Sequence, residues 1–260
     1  MLIGLVIVVP PTAVLASPSG LSPAVIGLLA VAGATNVIGL LVEYVAFRRG
    51  KVGLVAAIAS TEGMVAAVIS ALAGARLSLA TGLLLGLVTL GVAVAAASAD
   101  VDAPARGEQR AEGSPDGAPS RRRVPWPVLA VSTALLFGVC LYTTGRAGER
   151  ASVLWTLVPA RVFGSALVAA PLAARRRFRL TRRALPLVTA AGAAEVLGVL
   201  SYAIGARHDL PVAAVLAAQF AALTAVAAYF IHGQRLSRTQ VAGLVAVVVG
   251  VTLLAAFSPS

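Results

Sequence analysis

The chain has 260 residues, of which 59% are hydrophobic and only 12% are charged, and its mean hydropathy is +0.93. Soluble proteins carry about twice this share of charged residues, so the composition excludes most soluble classes. The net charge of +11 would indicate nucleic-acid binding in a soluble protein, but here the arginines lie between apolar runs, where they set membrane topology.

In chain order, apolar runs of about 20 residues predict nine transmembrane helices, because that length crosses a hydrocarbon core of ~30 Å. The first is the shortest, and the sequence predicts a break in it at Pro10-Pro11. The polar stretch 99–124 predicts a disordered linker between two halves. The predicted helices are 2–16, 24–47, 52–73, 79–98, 128–144, 153–173, 184–206, 212–232 and 239–257.

The two halves contain an internal repeat. Shifted by 159 positions, the stretch Gly192 to Leu253 aligns without a gap with Gly33 to Val94. A period of this length is typical of the halves of a membrane transporter. Identical motifs begin at equivalent positions: Gly-Ala-x-x-Val-x-Gly at Gly33 and Gly192, Gly-x-Arg-Leu-Ser at Gly74 and Gly233, and Gly-Val at Gly91 and Gly250.

The basic residues predict that the two copies have opposite orientations. Most of the 21 Lys and Arg residues fall on one side of nine alternating spans. This places the linker 99–124 and the loop 174–183 in the cytoplasm of a multi-pass plasma-membrane protein. Equivalent helices are separated by an odd number of spans, so the repeat is predicted to have inverted topology.

These motifs resemble the EamA-type family of the drug/metabolite transporter superfamily. Its halves commonly end in a Gly-Glu-Arg-Leu-Ser-like turn, for which this chain has Gly74-Ala75-Arg76-Leu77-Ser78 and Gly233-Gln234-Arg235-Leu236-Ser237, both without the glutamate. Arg161 matches an intramembrane arginine that the second helix of a half often carries. The resemblance implies two five-helix repeats and a small-metabolite transporter, often an exporter.

Two features depart from the family. Met1 aligns with Ala160, inside the sixth predicted helix, so we expect the first family helix to be missing. Either the start is placed too far downstream, or the chain is a gene fragment, or it is a natural nine-span variant. The charge count also places the C-terminus outside, whereas the family is drawn with both termini in the cytoplasm. The predicted fold is therefore an all-α polytopic bundle: a truncated repeat of about four helices (1–98), the linker (99–124) and a five-helix repeat (125–260).

Polar residues within the spans are candidates for function, because ionisable groups there cost at least ~2.5–3.5 kcal/mol on insertion scales. Two equivalent helices carry a polar stripe broken by a small residue, and together these predict the walls of a central cavity. The stripes are Glu195, Gly198 and Tyr202, and Asn36, Gly39 and Glu43.

The stripe residues leave alternatives open. Glu195 either lies on a substrate or proton pathway or is the buried partner of Arg161. Asn36 either lines the pathway or forms an interhelical hydrogen bond. Glu43, near the basic loop, is expected to form an interfacial ion pair with Arg48 or Arg49.

Four further residues are candidates. Glu62, before Gly63 in the middle of a predicted helix, either binds a cationic group or proton or forms a salt bridge to another helix; Gln219 is its near-equivalent in the second half. Arg161 is either a structural partner of a carboxylate or a direct anion site. Trp155 is either an interfacial anchor or a stacking platform.

The sequence therefore predicts a secondary transporter of a small organic metabolite (amino acid, amine or drug-like), an exporter that works by alternating access between inverted repeats. Without a nucleotide-binding motif, coupling would be by protons or by exchange. The expected partners are this substrate and the lipid bilayer, with no nucleic acid; a homodimer is left open. No cofactor is expected, and the histidines lack supporting metal ligands. The alternatives are a truncated, non-transporting protein or scaffold subunit and, least favoured because it would need clustered acids, an intramembrane enzyme.

Overall fold

The fold is taken from a computed structural model that describes residues 2–16, 20–50, 52–75, 78–98, 124–174, 185–219 and 238–257. These residues form helices and turns, with no strand among them, which confirms the all-α prediction for this part of the chain. The helices are α1 Leu2–Leu15, α2 Pro23–Arg49, α3 Val52–Ala59, α4 Glu62–Leu72, α5 Leu79–Ser98, α6 Trp126–Gly148, α7 Val153–Ala174, α8 Leu185–Gly205, α9 Leu210–Ala217 and α10 Arg238–Phe257.

Among the described residues, four segments are long and apolar enough to cross a membrane. They are Pro23–Arg49, Leu54–Leu72, Trp126–Gly148 and Leu185–Gly205, the second being α3 and α4 together. Shorter apolar helices occupy Gly4–Val14, Leu79–Val94, Val153–Leu167 and Val241–Gly250. The chain is therefore a helical membrane protein, and the further five spans stay a prediction.

Several predicted segments lie outside the described residues. They include the linker 99–124 and the loop 174–183, apart from residues 124 and 174 themselves. They also include residues 220–232 of the predicted helix 212–232, together with the turn at 233–237.

The outer surface of the bundle is rich in large apolar side chains, and many of the buried residues are small. Leu72, Val14 and Leu79 are each more than 80% exposed, whereas Ala32 and Ala66 are at most 1% exposed. In lipid, helices gain little by hiding leucine from the tails, so close packing through small residues holds them together. This distribution fits a bundle surrounded by hydrocarbon.

The predicted break in the first helix is wrong, because α1 continues through Pro10 and Pro11. Thr12, one residue later, donates from its hydroxyl to the carbonyl of Val8 at 2.7 Å. Such side-chain hydrogen bonds satisfy carbonyls in the turn that proline disturbs, and this is how membrane helices tolerate proline.

The third predicted helix is interrupted between α3 and α4. The hydroxyl of Ser60 donates to the carbonyl of Ala57 at 2.9 Å, and that of Thr61 donates to Ile58 at 2.7 Å. The two hydroxyls form hydrogen bonds to carbonyls in the last turn of α3, and such bonds promote a bend in a helix. The sequence placed the weak point at Gly63, whereas the break lies just before Glu62.

The equivalent position in the second half also ends a helix. α9 ends at Ala217, and Gln219, which aligns with Ser60 under the 159-residue shift, lies in the turn that follows. Its Nε2 donates to the carbonyl of Val215 at 2.7 Å, as Ser60 donates to the preceding turn in α3. Helix α4 packs against α9, with Gly63 lying against the backbone of Ala214 and Val215.

Helices α5 and α10 pack with reciprocal contacts. Gly91 faces Val247, where an added Cβ would lie 3.1 Å from Cγ2, and Gly250 faces Cγ2 of Val88. Val247 aligns with Val88 as Gly250 aligns with Gly91, so these two contacts are equivalent under the shift. Along α5 Val88 precedes Gly91, whereas their partners on α10 come in the reverse order, Gly250 and then Val247. The two helices are therefore antiparallel.

Helix ends meet in two separate groups. At one end, Arg207 after α8 donates to the carbonyls of Gly148 and Ala151, at 2.8 and 2.6 Å, between α6 and α7. At the other, Arg49 ends α2 and donates to the carbonyl of Val124, at 3.4 Å, just before α6. This grouping agrees with helices that alternate in direction.

Candidate functional site

A cavity of about 70 Å³ lies between α2, α6, α7 and α8. Because one water needs about 10–15 Å³ measured this way, the space suits a few waters or one small solute. Much of its wall comes from Ala, Gly, Leu and Val residues. The polar residues that line it are Asn36, Cys140, Thr144, Thr156, Arg161, Glu195 and Tyr202.

The cavity contains a buried ion pair. Nη1 of Arg161 on α7 lies 3.3 Å from Oε1 of Glu195 on α8. The side chain of Arg161 is 5% exposed and that of Glu195 31%. A charge this deep in a helical bundle needs a partner, because its desolvation costs several kcal/mol. The predicted pairing of these two residues is observed, and both of them also line the cavity.

The backbone of α1 makes room for the guanidinium. A Cβ on Gly4 would lie 2.5 Å from Nη1 of Arg161 and 3.3 Å from Val196 on α8. Three helices therefore meet at this charge. Nη1 is buried and has no hydrogen-bond partner among the described residues, since its contact with Glu195 is ionic rather than a well-oriented hydrogen bond.

The predicted stripe on α8 is correct at its ends and wrong at its centre. Glu195 and Tyr202 line the cavity, but Gly198 is exposed and Val199 takes the cavity position between them. The hydroxyl of Tyr202 donates to the carbonyl of Leu141 on α6 at 2.5 Å. This bond fixes the rotation of α8 about its own axis.

Only one member of the α2 stripe lines the cavity, namely Asn36. Gly39 packs instead against the ring of Phe137 on α6. Glu43 is half-buried and does not border the cavity. The prediction that the α2 stripe lines the cavity is therefore correct for Asn36 and wrong for Gly39 and Glu43.

The predicted ion pair of Glu43 is also not observed. The guanidinium of Arg48 lies 6.0 Å from the ring centroid of Tyr44, and Arg49 donates to the carbonyl of Val124. Within the described residues, neither arginine forms a salt bridge to Glu43. Both turn towards groups at the end of the bundle, where water is within reach.

Glu62 is the first residue of α4, is 9% exposed, and lies outside the cavity wall. A helix N-terminus stabilises a carboxylate through its free N–H groups and dipole. Gly138 lets α4 approach α6 closely here, since a Cβ would lie 3.0 Å from the Glu62 carbonyl. The backbone of Glu62 therefore lies against α6, outside the cavity wall.

The remaining two candidates also lie outside the cavity. Nε2 of Gln219 donates to the carbonyl of Val215 in the preceding helix α9, and its buried Oε1 has no partner among the described residues. Nε1 of Trp155 donates to the carbonyl of Ala16 at 2.9 Å and so ties the end of α1 to the start of α7. Trp155 is therefore an anchor between helices.

Sequence reasoning missed three polar residues of the cavity: Cys140, Thr144 and Thr156. Cys140 and Thr144 are one helical turn apart on α6, and that i, i+4 spacing was the available signal. α6 thus contributes a weakly polar face to the cavity.

The comparison with known proteins gives no match: no protein-family model and no curated protein matches this chain. In the part of the chain that the structure describes, no group of three or more His, Cys, Asp or Glu residues could hold a metal ion. What the geometry offers is a helical membrane protein with a small internal cavity, lined by an arginine, a carboxylate, an amide and hydroxyls.

Proposed function

We propose that this chain is a secondary transporter of a small organic metabolite, an exporter of the EamA type that works by alternating access between two inverted repeats. The observation that carries the proposal is the Arg161–Glu195 pair on the wall of an internal cavity. Replacing a buried pair by apolar residues is often neutral or stabilising, so burying one makes sense where its charges do something else. Ionisable groups inside membrane helices mark transport pathways by default.

Reciprocal packing supports the inverted repeat. A two-fold axis makes contacts reciprocal: where residue i of one copy meets residue j of the other, residue j of the first copy meets residue i of the second. The contacts of Gly91 with Val247 and of Val88 with Gly250 follow this pattern. The antiparallel direction of α5 and α10 agrees with an axis in the membrane plane. Such an axis relates the halves of many secondary transporters.

Helix ends at equivalent positions of the two predicted repeats support a transport site between them. The turn between α3 and α4 and the end of α9 fall at equivalent positions, and α4 packs on α9. Transporters commonly place their sites where discontinuous helices from the two repeats meet. On this reading, Glu62 at the start of α4 is the second carboxylate of the pathway, and protons or exchanged solute supply the driving force.

The proposed topology follows from charge. Arg48 and Arg49 lie at the end of the bundle that α6 also reaches at its N-terminus, whereas Arg207 lies at the other end. The first end is proposed to face the cytoplasm of the plasma membrane, because the charge count along the sequence assigns most of the basic residues to the side of Arg48 and Arg49.

Uptake by proteoliposomes tests the function. The purified chain would be reconstituted and assayed for uptake and exchange of radiolabelled amino acids and amines. We expect Glu195→Gln and Glu62→Gln to lower the rate by about tenfold or more, the effect of losing a charged hydrogen bond. Glu149→Gln is the matched control, because Glu149 belongs to an exposed pair with Arg146. Wild-type rates in both the Glu195→Gln and the Glu62→Gln variants would refute the carboxylate assignment, and a wild-type chain that moves no solute would favour the non-transporting alternative.

A further inference from the structure

The guanidinium of Arg161 has unused hydrogen-bonding capacity. Arg161 borders the cavity and is 4% exposed, and its buried Nη1 has no hydrogen-bond partner in the described part of the chain. Buried N–H groups are almost always hydrogen-bonded, so an unsatisfied one calls for a physical reason. Glu195 balances its charge at 3.3 Å but leaves this donor available.

A second donor borders the same cavity. The side-chain amide of Asn36 on α2 makes no hydrogen bond within the described residues. The hydroxyls of Thr156 and Tyr202, in contrast, already donate to backbone carbonyls. The cavity therefore presents Arg161 and Asn36 as donors to an anion and Glu195 as an acceptor for a cation.

Resting on the proposed transport function, we propose that this cavity binds a small zwitterion, whose carboxylate contacts Nη1 of Arg161 and the Asn36 amide and whose ammonium contacts Glu195. A solute with one charge would compete for one member of the pair and leave the other without its counter-charge. An uncompensated buried charge is strongly destabilising. A zwitterion supplies a partner to both members when the pair opens.

The cavity also limits the size of the ligand. Its volume of about 70 Å³ and its apolar wall, which includes Ala32, Leu141 and Val199, favour a short aliphatic side chain. Gly33 closes one side, with its backbone against the carbonyl of Ala160. The ligand class is therefore a small aliphatic α-amino acid.

Three small solutes test this inference in a binding assay that needs no transport. Thermal unfolding of the full chain in lipid nanodiscs would be followed during titration with L-alanine, isopropylamine and isobutyrate. A ligand that binds the native state raises Tm with concentration. We expect L-alanine to bind at least about tenfold more tightly than either singly charged solute. An equal shift with a singly charged solute, or no shift with L-alanine, would overturn the zwitterion site.

Charge variants sharpen the test. Glu195→Gln should shift the binding preference towards isobutyrate, because it retains the positive charge of Arg161. Arg161→Gln should shift the preference towards isopropylamine, because it retains the negative charge of Glu195. The double variant Arg161→Gln/Glu195→Gln leaves no unpaired charge, so it should fold even if a single variant does not, and should lose discrimination among the three solutes. Glu149→Gln should keep the wild-type order. Retained alanine preference in the double variant would refute the site.

The two proposals fail separately. L-Alanine binding without uptake into proteoliposomes would leave the site in place and remove the transport function. Uptake of isopropylamine or isobutyrate at the rate of L-alanine would keep transport and remove the zwitterion site.

Discussion

Gly4 of α1 lies against the guanidinium of Arg161 on α7, so closely that a Cβ on Gly4 would be 2.5 Å from Nη1. The missing side chain at position 4 creates the space in which a buried charge reaches Glu195 on a third helix. The position of the guanidinium therefore depends on the contact between α1 and α7 as much as on its own ion pair.

Gly4→Ala is expected to displace the guanidinium without unfolding the helix, because the contacted atoms are the far end of a flexible side chain. Binding of L-alanine should weaken by about tenfold, the effect of losing one charge-assisted hydrogen bond. Nanodisc titration measures this. Gly198→Ala on α8 is the matched control, since a Cβ there meets nothing within 4 Å. If both variants bind like the wild type, Gly4 does not position Arg161.

Removing one charge of the pair should cost more than removing both. Glu195→Gln leaves a guanidinium that is 5% exposed without its counter-charge, which should lower the free energy of unfolding by about 3–5 kcal/mol. Arg161→Gln should cost less, because the Glu195 side chain keeps 31% exposure. The double variant should recover part of the loss. Denaturant unfolding in detergent gives all three values, and a double-variant loss equal to the sum of the singles would contradict the coupling.

Gly91→Ala should destabilise the contact between α5 and α10. The added Cβ would lie 2.8 Å from the carbonyl oxygen of Gly243, and backbone cannot move aside as a side chain can. Overpacking of this kind costs about 1–3 kcal/mol. Gly86→Ala, on the same helix with nothing within 4 Å, should be neutral or slightly stabilising. Thermal unfolding distinguishes the two, and equal Tm values would argue against the close packing.

Trp155→Phe should loosen the end of α1. The ring is largely retained, but the bond from Nε1 to the Ala16 carbonyl is lost, which costs about 1 kcal/mol. Amide hydrogen exchange should become faster in α1 than in α6. Trp126→Phe is the control: Trp126 packs on Gly50 and makes no hydrogen bond through its ring within the described residues. If amide exchange in α1 becomes faster in both variants, the hydrogen bond of Trp155 is not what anchors α1.

The positions of the helices could be predicted from the sequence because they depend on local properties. Predicted and observed bounds agree within a few residues for α2, α5, α7 and α8, where apolar runs end at charges, Gly or Pro. In an apolar medium such runs satisfy their backbone groups only as helices. The break before Glu62 was misplaced to Gly63, because the hydroxyls of Ser60 and Thr61 bond to the preceding turn.

The composition of the cavity wall could be predicted only in part. Polar side chains are costly to bury inside a membrane, and this cost correctly indicated four residues that line the cavity: Asn36, Arg161, Glu195 and Tyr202. Gly198 was placed on the wall and Val199 was not, since one residue of spacing corresponds to about 100° of rotation around a helix. The rotation of α8 is set by neighbouring contacts such as that of Tyr202 with Leu141.

The sequence by itself determined that this is a helical membrane protein and which side chains are costly within its helices. The tertiary structure alone decided that Arg161 meets Glu195 beside Gly4, and that Glu62 and Gln219 lie outside that cavity. The physical reason is that backbone hydrogen bonds close within each helix and leave their mark in the local sequence. The rotation and approach of helices, in contrast, depend on packing between residues that are far apart in the chain.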